Sequence, residues 1–385
     1  MAIRSRKKIG IIFNFSGSWL GGVYYIQNII KALNYLDDDQ KPQIVIFHNN
    51  ELSKFAKEIE YPYLELVSWD FINVYKGYIY SWIFRKNIFV KDLLHKYKLD
   101  GIYPLYDQPI SISNTDTIIA TWFPDLQHKF YPKYFNKINL FFREMRLKLM
   151  LKNSNVLVVS SNDVANHFKQ FYKIPTTLKI HVLPFVSIID NFSFNNAKEL
   201  NVKYSLPKEY YIVSNQFYEH KNHIVVFKAI SLLKKNNFKV HVVLTGKMED
   251  YRNPIYIDRL KSEIKENGIE DCISLLGIIP RQDQLCLLKN SKAVIQPSFF
   301  EGWSTVIEDA KSLHVSVIAS NIAVHKEQLE GKGFYFNPDD ELDLAQLLQS
   351  FTKDNIPVIY ENYESRVKKF AINFISVFDK SKGLN

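Results

Sequence analysis

Short apolar runs alternate with amphipathic stretches along most of this 385-residue chain, and the alternation occurs twice. Strand-like runs fall at 8–14, 43–47, 101–104, 117–121, 156–160 and 179–184, with helical patterns such as 23–36 and 141–152 between them. A second series falls at 210–214, 239–245, 273–276, 293–296, 315–319 and 333–336, separated by helical patterns at 227–235, 255–267, 282–290 and 305–313. This alternation predicts α/β architecture, with parallel sheets covered by crossover helices. The chain is too long for one typical core, so two such domains are expected. The pattern fades over the Asn-rich stretch 188–206, where the linker is expected. The expected organisation is 1–190 and 205–360, with 361–385 as a terminal segment carrying an amphipathic helix at 363–377.

Composition narrows the classes. Hydrophobic residues make up 46% of the chain, which fits ordered cores. Only Cys272 and Cys286 are present, so a disulfide framework is excluded and a reducing compartment is expected. The basic N-terminus leads into an apolar run too short for a secretory leader, and no run approaches the ~18 residues that span a bilayer. A cytoplasmic location is expected, with peripheral contact to the inner face of a membrane. That contact is suggested by charge: of the formal +9, residues 1–190 hold +8, from 24 Lys+Arg against 16 Asp+Glu. The excess sits in aromatic-rich stretches such as 129–152, which suit an anionic membrane surface or an ordinary solvated basic face. No nucleic-acid-binding motif accompanies it, so nucleic acid is not an expected partner.

Four stretches carry chemistry. Gly21 and Gly22, in SGSWLGGVYYI (16–26), follow the first strand and open a helix. Glycines there let backbone approach a ligand, and a helix N-terminus favours an anion. The stretch is not the GxGxxG fingerprint, so a nicotinamide cofactor is not indicated. TWFPDLQH (121–128) follows a strand and carries Asp125 and His128, and ligands of open α/β sheets bind beyond the carboxyl ends of strands. SNQFYEHKNH (214–223) follows the first strand of the second series and carries Lys221, a cation beyond a strand end. His220 and His223 beside it lack a third ligand for a metal. QPSFFEGWSTVIEDAKSL (296–313) joins a strand to a helix through an acidic-glycine turn, with Glu301 and Glu308 flanking small and hydroxyl residues. Amides offered to phosphate and carboxylates offered to hydroxyls suit a nucleotide-sugar. Asp37-Asp38-Asp39 reads as a solvated loop.

These four stretches, in this order over roughly 7–330, resemble the motifs of retaining glycosyltransferases of the glycogen-synthase-like group, family 4 or group 1. The resemblance implies the GT-B fold: two Rossmann-like domains facing across a cleft, with the C-terminal helix crossing back to the first. It implies a retaining, metal-independent hexosyltransferase that needs no cofactor beyond its nucleotide diphosphate sugar donor. The acceptor would be a hydroxyl of a saccharide or lipid-linked saccharide, in surface polysaccharide or glycoconjugate synthesis. By resemblance, Glu301, Lys221 and His128 are the catalytic residues: Glu301 binds donor-sugar hydroxyls, Lys221 the diphosphate, and His128 faces the sugar near its anomeric centre. Gly21, Gly22, Asn215, Gln216, Gly302, Trp303, Ser304 and Thr305 line the donor, Glu308 takes the ribose hydroxyls, and the base lies along Gly277–Ile279. Asp125 orders its loop or lies on the acceptor side. Two departures stand out. Gln216 replaces an arginine common in the family, and the spacing from Glu301 to Glu308 is one residue short. They leave room for a non-catalytic nucleotide-sugar-binding subunit, and a nucleotide-sugar epimerase is the other alternative.

Overall fold

The structure, a computed structural model, describes residues 6–16, 20–112, 115–189, 197–250, 252–351 and 358–380. Residues 17–19 of the glycine stretch and 190–196 of the expected linker lie outside them.

The first unit runs to Ile188 and takes back the chain from Asn362; the second spans Ile189–Glu361. In the first, β1 (Lys8–Phe13), β2 (Gln43–His48), β3 (Leu64–Ser68), β4 (Gly101–Tyr103), β5 (Ile118–Trp122), β6 (Val156–Val159) and β7 (Lys179–Val182) form one sheet in the order β3-β2-β1-β4-β5-β6-β7. Every pairing is parallel. Central strands such as β2 and β6 are almost wholly buried, because helices cover both faces. β3 had no counterpart in the sequence reading: at the sheet's edge, LELVS carries no continuous apolar run.

The C-terminal helix Tyr363–Ser376 packs within this first unit, burying Val367, Phe370, Ala371 and Phe374. Phe374 meets Tyr103 edge-on, and Asn373 joins its side-chain oxygen to the His181 ring at 2.8 Å. The ring of Phe378 lies over Gly101, where any Cβ would clash with it.

The second unit repeats the plan. β8 (Tyr211–Ser214), β9 (Val242–Thr245), β10 (Ile273–Gly277), β11 (Val294–Gln296), β12 (Val317–Ser320) and β13 (Phe334–Phe336) lie in the order β10-β9-β8-β11-β12-β13, all parallel. One core packs on each face of this sheet. The expected linker is not all coil: residues Ala197–Lys203 form a helix that the Asn-rich sequence hides.

Candidate functional site

The strand order of the second sheet reverses between β8 and β11. The chain leaves these neighbours in opposite directions, so their carboxyl-end loops diverge and leave a crevice. The loop after β8 carries Lys221, and the loop after β11 carries Glu301.

The two meet there. Lys221 Nζ donates to Glu301 Oε1 at 2.6 Å, with the side chains 16% and 10% exposed. Glu301 Oε1 also accepts from Gln296 Nε2 and from Ser298 Oγ, each at 2.8 Å. Burial pushes the Glu301 carboxyl up, but the Lys221 charge and these hydrogen bonds outweigh it, and the group is held below the usual carboxylate range. All three donors converge on one oxygen. Oε2 accepts no hydrogen bond among the described residues, and an ammonium has three donors of which Lys221 uses one. The pair is therefore anchored on one side and has hydrogen-bonding capacity left for a ligand.

Local structure fixes both partners. Asn222, next to Lys221, sits at φ 55 and its side chain donates to the carbonyls of Pro297 (3.2 Å) and Pro338 (2.8 Å). Asparagine tolerates this left-handed conformation, and here it ties the Lys221 turn to the strand-end loops beside it. Asn215 donates to Gln296 Oε1 at 3.1 Å, which aims the other end of that amide at Glu301. His325 lies fully buried nearby. Its Nδ1 is 3.0 Å from the Ser320 carbonyl, and burial lowers its pKa to about 4, so the ring is neutral. The side chains of Gln296, Ser298, Asn222 and His325 were not singled out in the sequence, since each reads alone as an ordinary strand-end or helix residue.

The Thr305–Leu313 helix begins as expected, with Ser304 Oγ accepting from the Ile307 amide. Other expectations there meet a buried side chain instead. Gln328 accepts from the Ser304 amide at 3.1 Å, donates to the Ser304 carbonyl at 2.8 Å and donates to Glu308 Oε1 at 2.9 Å. Glu308 is buried, with Lys311 Nζ 3.6 Å away. The Ser304 amide and one Glu308 oxygen are thus already engaged within the protein. Thr305 is exposed, Trp303 half-buried and Gly302 buried. Arg281, at the start of the helix that follows Gly277–Ile279, grips the buried Asp309 through both carboxylate oxygens, at 2.7 and 2.5 Å. Gln216 is exposed. His223 is buried and stacked on Phe217 at 4.5 Å, a packing role.

On the first unit, Gly21 and Gly22 lie within the first turn of the Leu20–Leu33 helix. Asp125 Oδ1 accepts from the Gln127 amide at 2.9 Å and orders its turn. His128 is buried; its Nε2 lies 2.9 Å from Glu144 Oε1, which also takes Lys129 and Tyr172 at 2.8 Å. Burial and the Arg143 charge lower the His128 pKa to about 4. The neutral ring donates through Nε2, and its buried Nδ1 is left without a partner.

Residues 197–373 match the family model described as Glycosyl transferases group 1. The chain is similar to O-antigen chain mannosyltransferase B of Escherichia coli, at 25% identity over 242 residues; the match spans 61% of this chain and 62% of that relative. Among solved structures it is similar to sucrose-phosphate synthase from Thermosynechococcus elongatus, with TM-score 0.64 and 15% identity, covering 97% of this chain and 94% of that one. It is also similar to Anabaena HepE in complex with UDP and glucose, with TM-score 0.63 and 16% identity, covering 97% and 96%. The two parallel sheets are those of the GT-B fold, and over residues 197–373 the chain resembles group 1 glycosyltransferases.

Proposed function

We propose that this chain, whose residues 197–373 match the group 1 glycosyltransferase family model, is a retaining enzyme that moves a hexose-like sugar from a nucleoside diphosphate donor to a hydroxyl. The acceptor in this reading is a saccharide or lipid-linked saccharide of a surface polysaccharide, held by the first unit. The single observation that carries it is the buried Lys221–Glu301 pair at the reversal of the second sheet, with one carboxylate oxygen anchored and the other open. Glu301 Oε2 accepts from donor-sugar hydroxyls. The unused Lys221 N–H groups meet the phosphate oxygen on which charge grows as the bond from the sugar breaks, and a fixed cation there stabilises the transition state more than the ground state. The new bond forms on the face the phosphate leaves, and the acceptor proton passes to the departing phosphate oxygen. No side chain is then required as a strong base, and the reaction is written without a metal. That fits His128, which is neutral and can accept through Nδ1 but is held away from proton transfer by burial.

The test is thermal shift against nucleoside diphosphates and their sugars, followed by transfer assays with the responding donor. Mannose-bearing donors head the panel because a relative is an O-antigen chain mannosyltransferase. A ligand at about a hundred times its Kd adds roughly 2.7 kcal/mol of stability. A selective response with transfer supports the reading, and silence across the panel sinks it. A second reading, a nucleotide-sugar-binding subunit without turnover, is favoured by the uncharged Gln216 and by the engaged Ser304 amide. Binding without transfer to any acceptor would select it.

A further inference from the structure

In a surface helix the apolar side chains normally face the core and the polar ones face water. The Val74–Phe84 helix of the first unit is built the other way round. It packs through Gly77, Tyr78 and Ser81. Gly77 sits under the Phe89 ring, closer than any Cβ would allow, and Ser81 Oγ accepts from the Ile88 amide at 3.1 Å. Apart from Tyr78, its aromatic residues and isoleucines point outward: Tyr75 is 67% exposed, Ile83 64% and Phe84 61%, with Ile79, Tyr80 and Trp82 also exposed. The Lys137–Asn153 helix continues the patch. Ile138 and Phe141 are 66% and 67% exposed, and Phe142 meets the Tyr75 ring at 6.2 Å, joining the two surfaces.

The two helices carry a surplus of positive charge. Lys76, Arg85 and Lys86 lie in or just after the first helix, and residues 74–86 contain no acid. The second helix carries Lys137, Arg143, Arg146, Lys148 and Lys152 against Glu144; Glu144 is engaged by Lys129, Tyr172 and His128, and Arg146 is paired with Asp107 at 2.7 Å, which leaves the lysines as the surplus charge. A cavity of about 450 Å³ at the junction is lined by Tyr75, Phe135 and Phe142 and also by Arg143, whose guanidinium lies over the Phe135 ring, and by Arg146, which is held by Asp107. A contiguous exposed apolar face marks an interaction site. Aromatic and aliphatic side chains rimmed by cations, with no helix among the described residues long and apolar enough to cross a bilayer, match a surface that lies on anionic lipid.

We propose that the outward faces of the Val74–Phe84 and Lys137–Asn153 helices form a docking surface for an anionic lipid bilayer. The purpose, bringing a lipid-linked acceptor to the first unit, rests on the proposed function; the binding does not. The experiment is co-sedimentation of the full chain with vesicles of phosphatidylcholine containing phosphatidylglycerol, or of phosphatidylcholine alone. It compares the wild type with Ile83→Glu/Phe141→Glu. Both positions are exposed, so the variant's thermal unfolding should match the wild type. Expected are wild-type binding to the anionic vesicles at low salt, at least about tenfold weaker binding in high salt, and a similar loss in the variant. Three results would overturn the proposal: a wild type that stays in the supernatant, a variant that binds as well as the wild type, or a lipid-free wild type that dimerises through this face while the variant is monomeric. Since the readout involves no sugar, a failure here leaves the transferase reading standing, and loss of donor response leaves this one standing.

Discussion

Replacing Lys221 by methionine tests the centre of the site as a physical object before any substrate is known. The substitution keeps an apolar stem of similar length and removes the charge. Glu301 would keep its bonds from Gln296 and Ser298 but lose the ammonium at 2.6 Å, in a place where both side chains are largely withdrawn from water. Breaking a buried ion pair by deleting one partner costs about 3–5 kcal/mol. Two neutral donors remain, which puts the expectation near the lower end, about 3 kcal/mol. Adding Glu301→Gln removes the stranded charge, so the double variant should recover to within about 1 kcal/mol of wild type. The sign with pH is fixed. The folded Glu301 pKa is below its unfolded value, so the pair's contribution is present above the ordinary carboxylate range and lost as pH falls through the folded value. The gap between Lys221→Met and wild type should therefore close in acid. The assay is urea unfolding at neutral and acid pH, with hydrogen exchange of β11 amides reporting the second unit alone. Single-variant losses that simply add in the double, or a gap that does not change with pH, would refute the reasoning.

Glu301→Ala and Lys221→Ala should each lower transfer by about a hundred- to a thousandfold in a steady-state assay with a folded protein. Near-normal rates in both would remove the catalytic assignment. Gln328→Ala strands the Ser304 amide and carbonyl and one contact of Glu308, so urea midpoints should show a loss of about 2–3 kcal/mol. His128 and His325 are held neutral with pKa values lowered to about 4, below their unfolded values. The unfolded chain then binds more protons, and stability is full above about pH 6.5 and falls as pH drops from there toward the folded values. The expected loss is about 1.6 kcal/mol per histidine between pH 6.5 and 5, and a flat urea midpoint over that interval would contradict it.

Periodicity revealed the two sheets because central parallel strands are buried on both faces and read as unbroken apolar runs. It failed at β3, where one edge faces solvent, and at Val74–Phe84, where apolar residues lie all around the helix and leave no period to read. In that helix the direction of packing is decided by Gly77 and Ser81, whose small size allows close approach to Phe89 and Ile88. The pattern of large residues gives no hint of it. Lys221 and Glu301 could be singled out because each stands in a loop after a strand, in a stretch with a recognisable neighbourhood.

Their support is of another kind. Asn215 and Gln296 are 81 positions apart, and the Gln328 amide reaches Glu308 across 20; only the parallel packing of these elements brings such groups together. The same network bears on the loss of charge at Gln216. The amide chain from Asn215 through Gln296 holds Glu301 by neutral donors on the oxygen that Lys221 also binds, so the carboxylate keeps its orientation when the lysine turns toward a phosphate. Among the described residues Lys221 is the one cation bonded to Glu301, and it can exchange partners in this way. Lys221 neutralises Glu301 in the resting protein and a diphosphate when donor arrives, with Gln296 and Ser298 left to stabilise the carboxylate. Donor binding should then raise the Glu301 pKa. Nucleoside diphosphate affinity should weaken above the free carboxylate's pKa in wild type, and this pH dependence should vanish in Glu301→Gln. Calorimetric titration at two pH values reads it directly, and identical profiles in the two proteins would exclude the exchange.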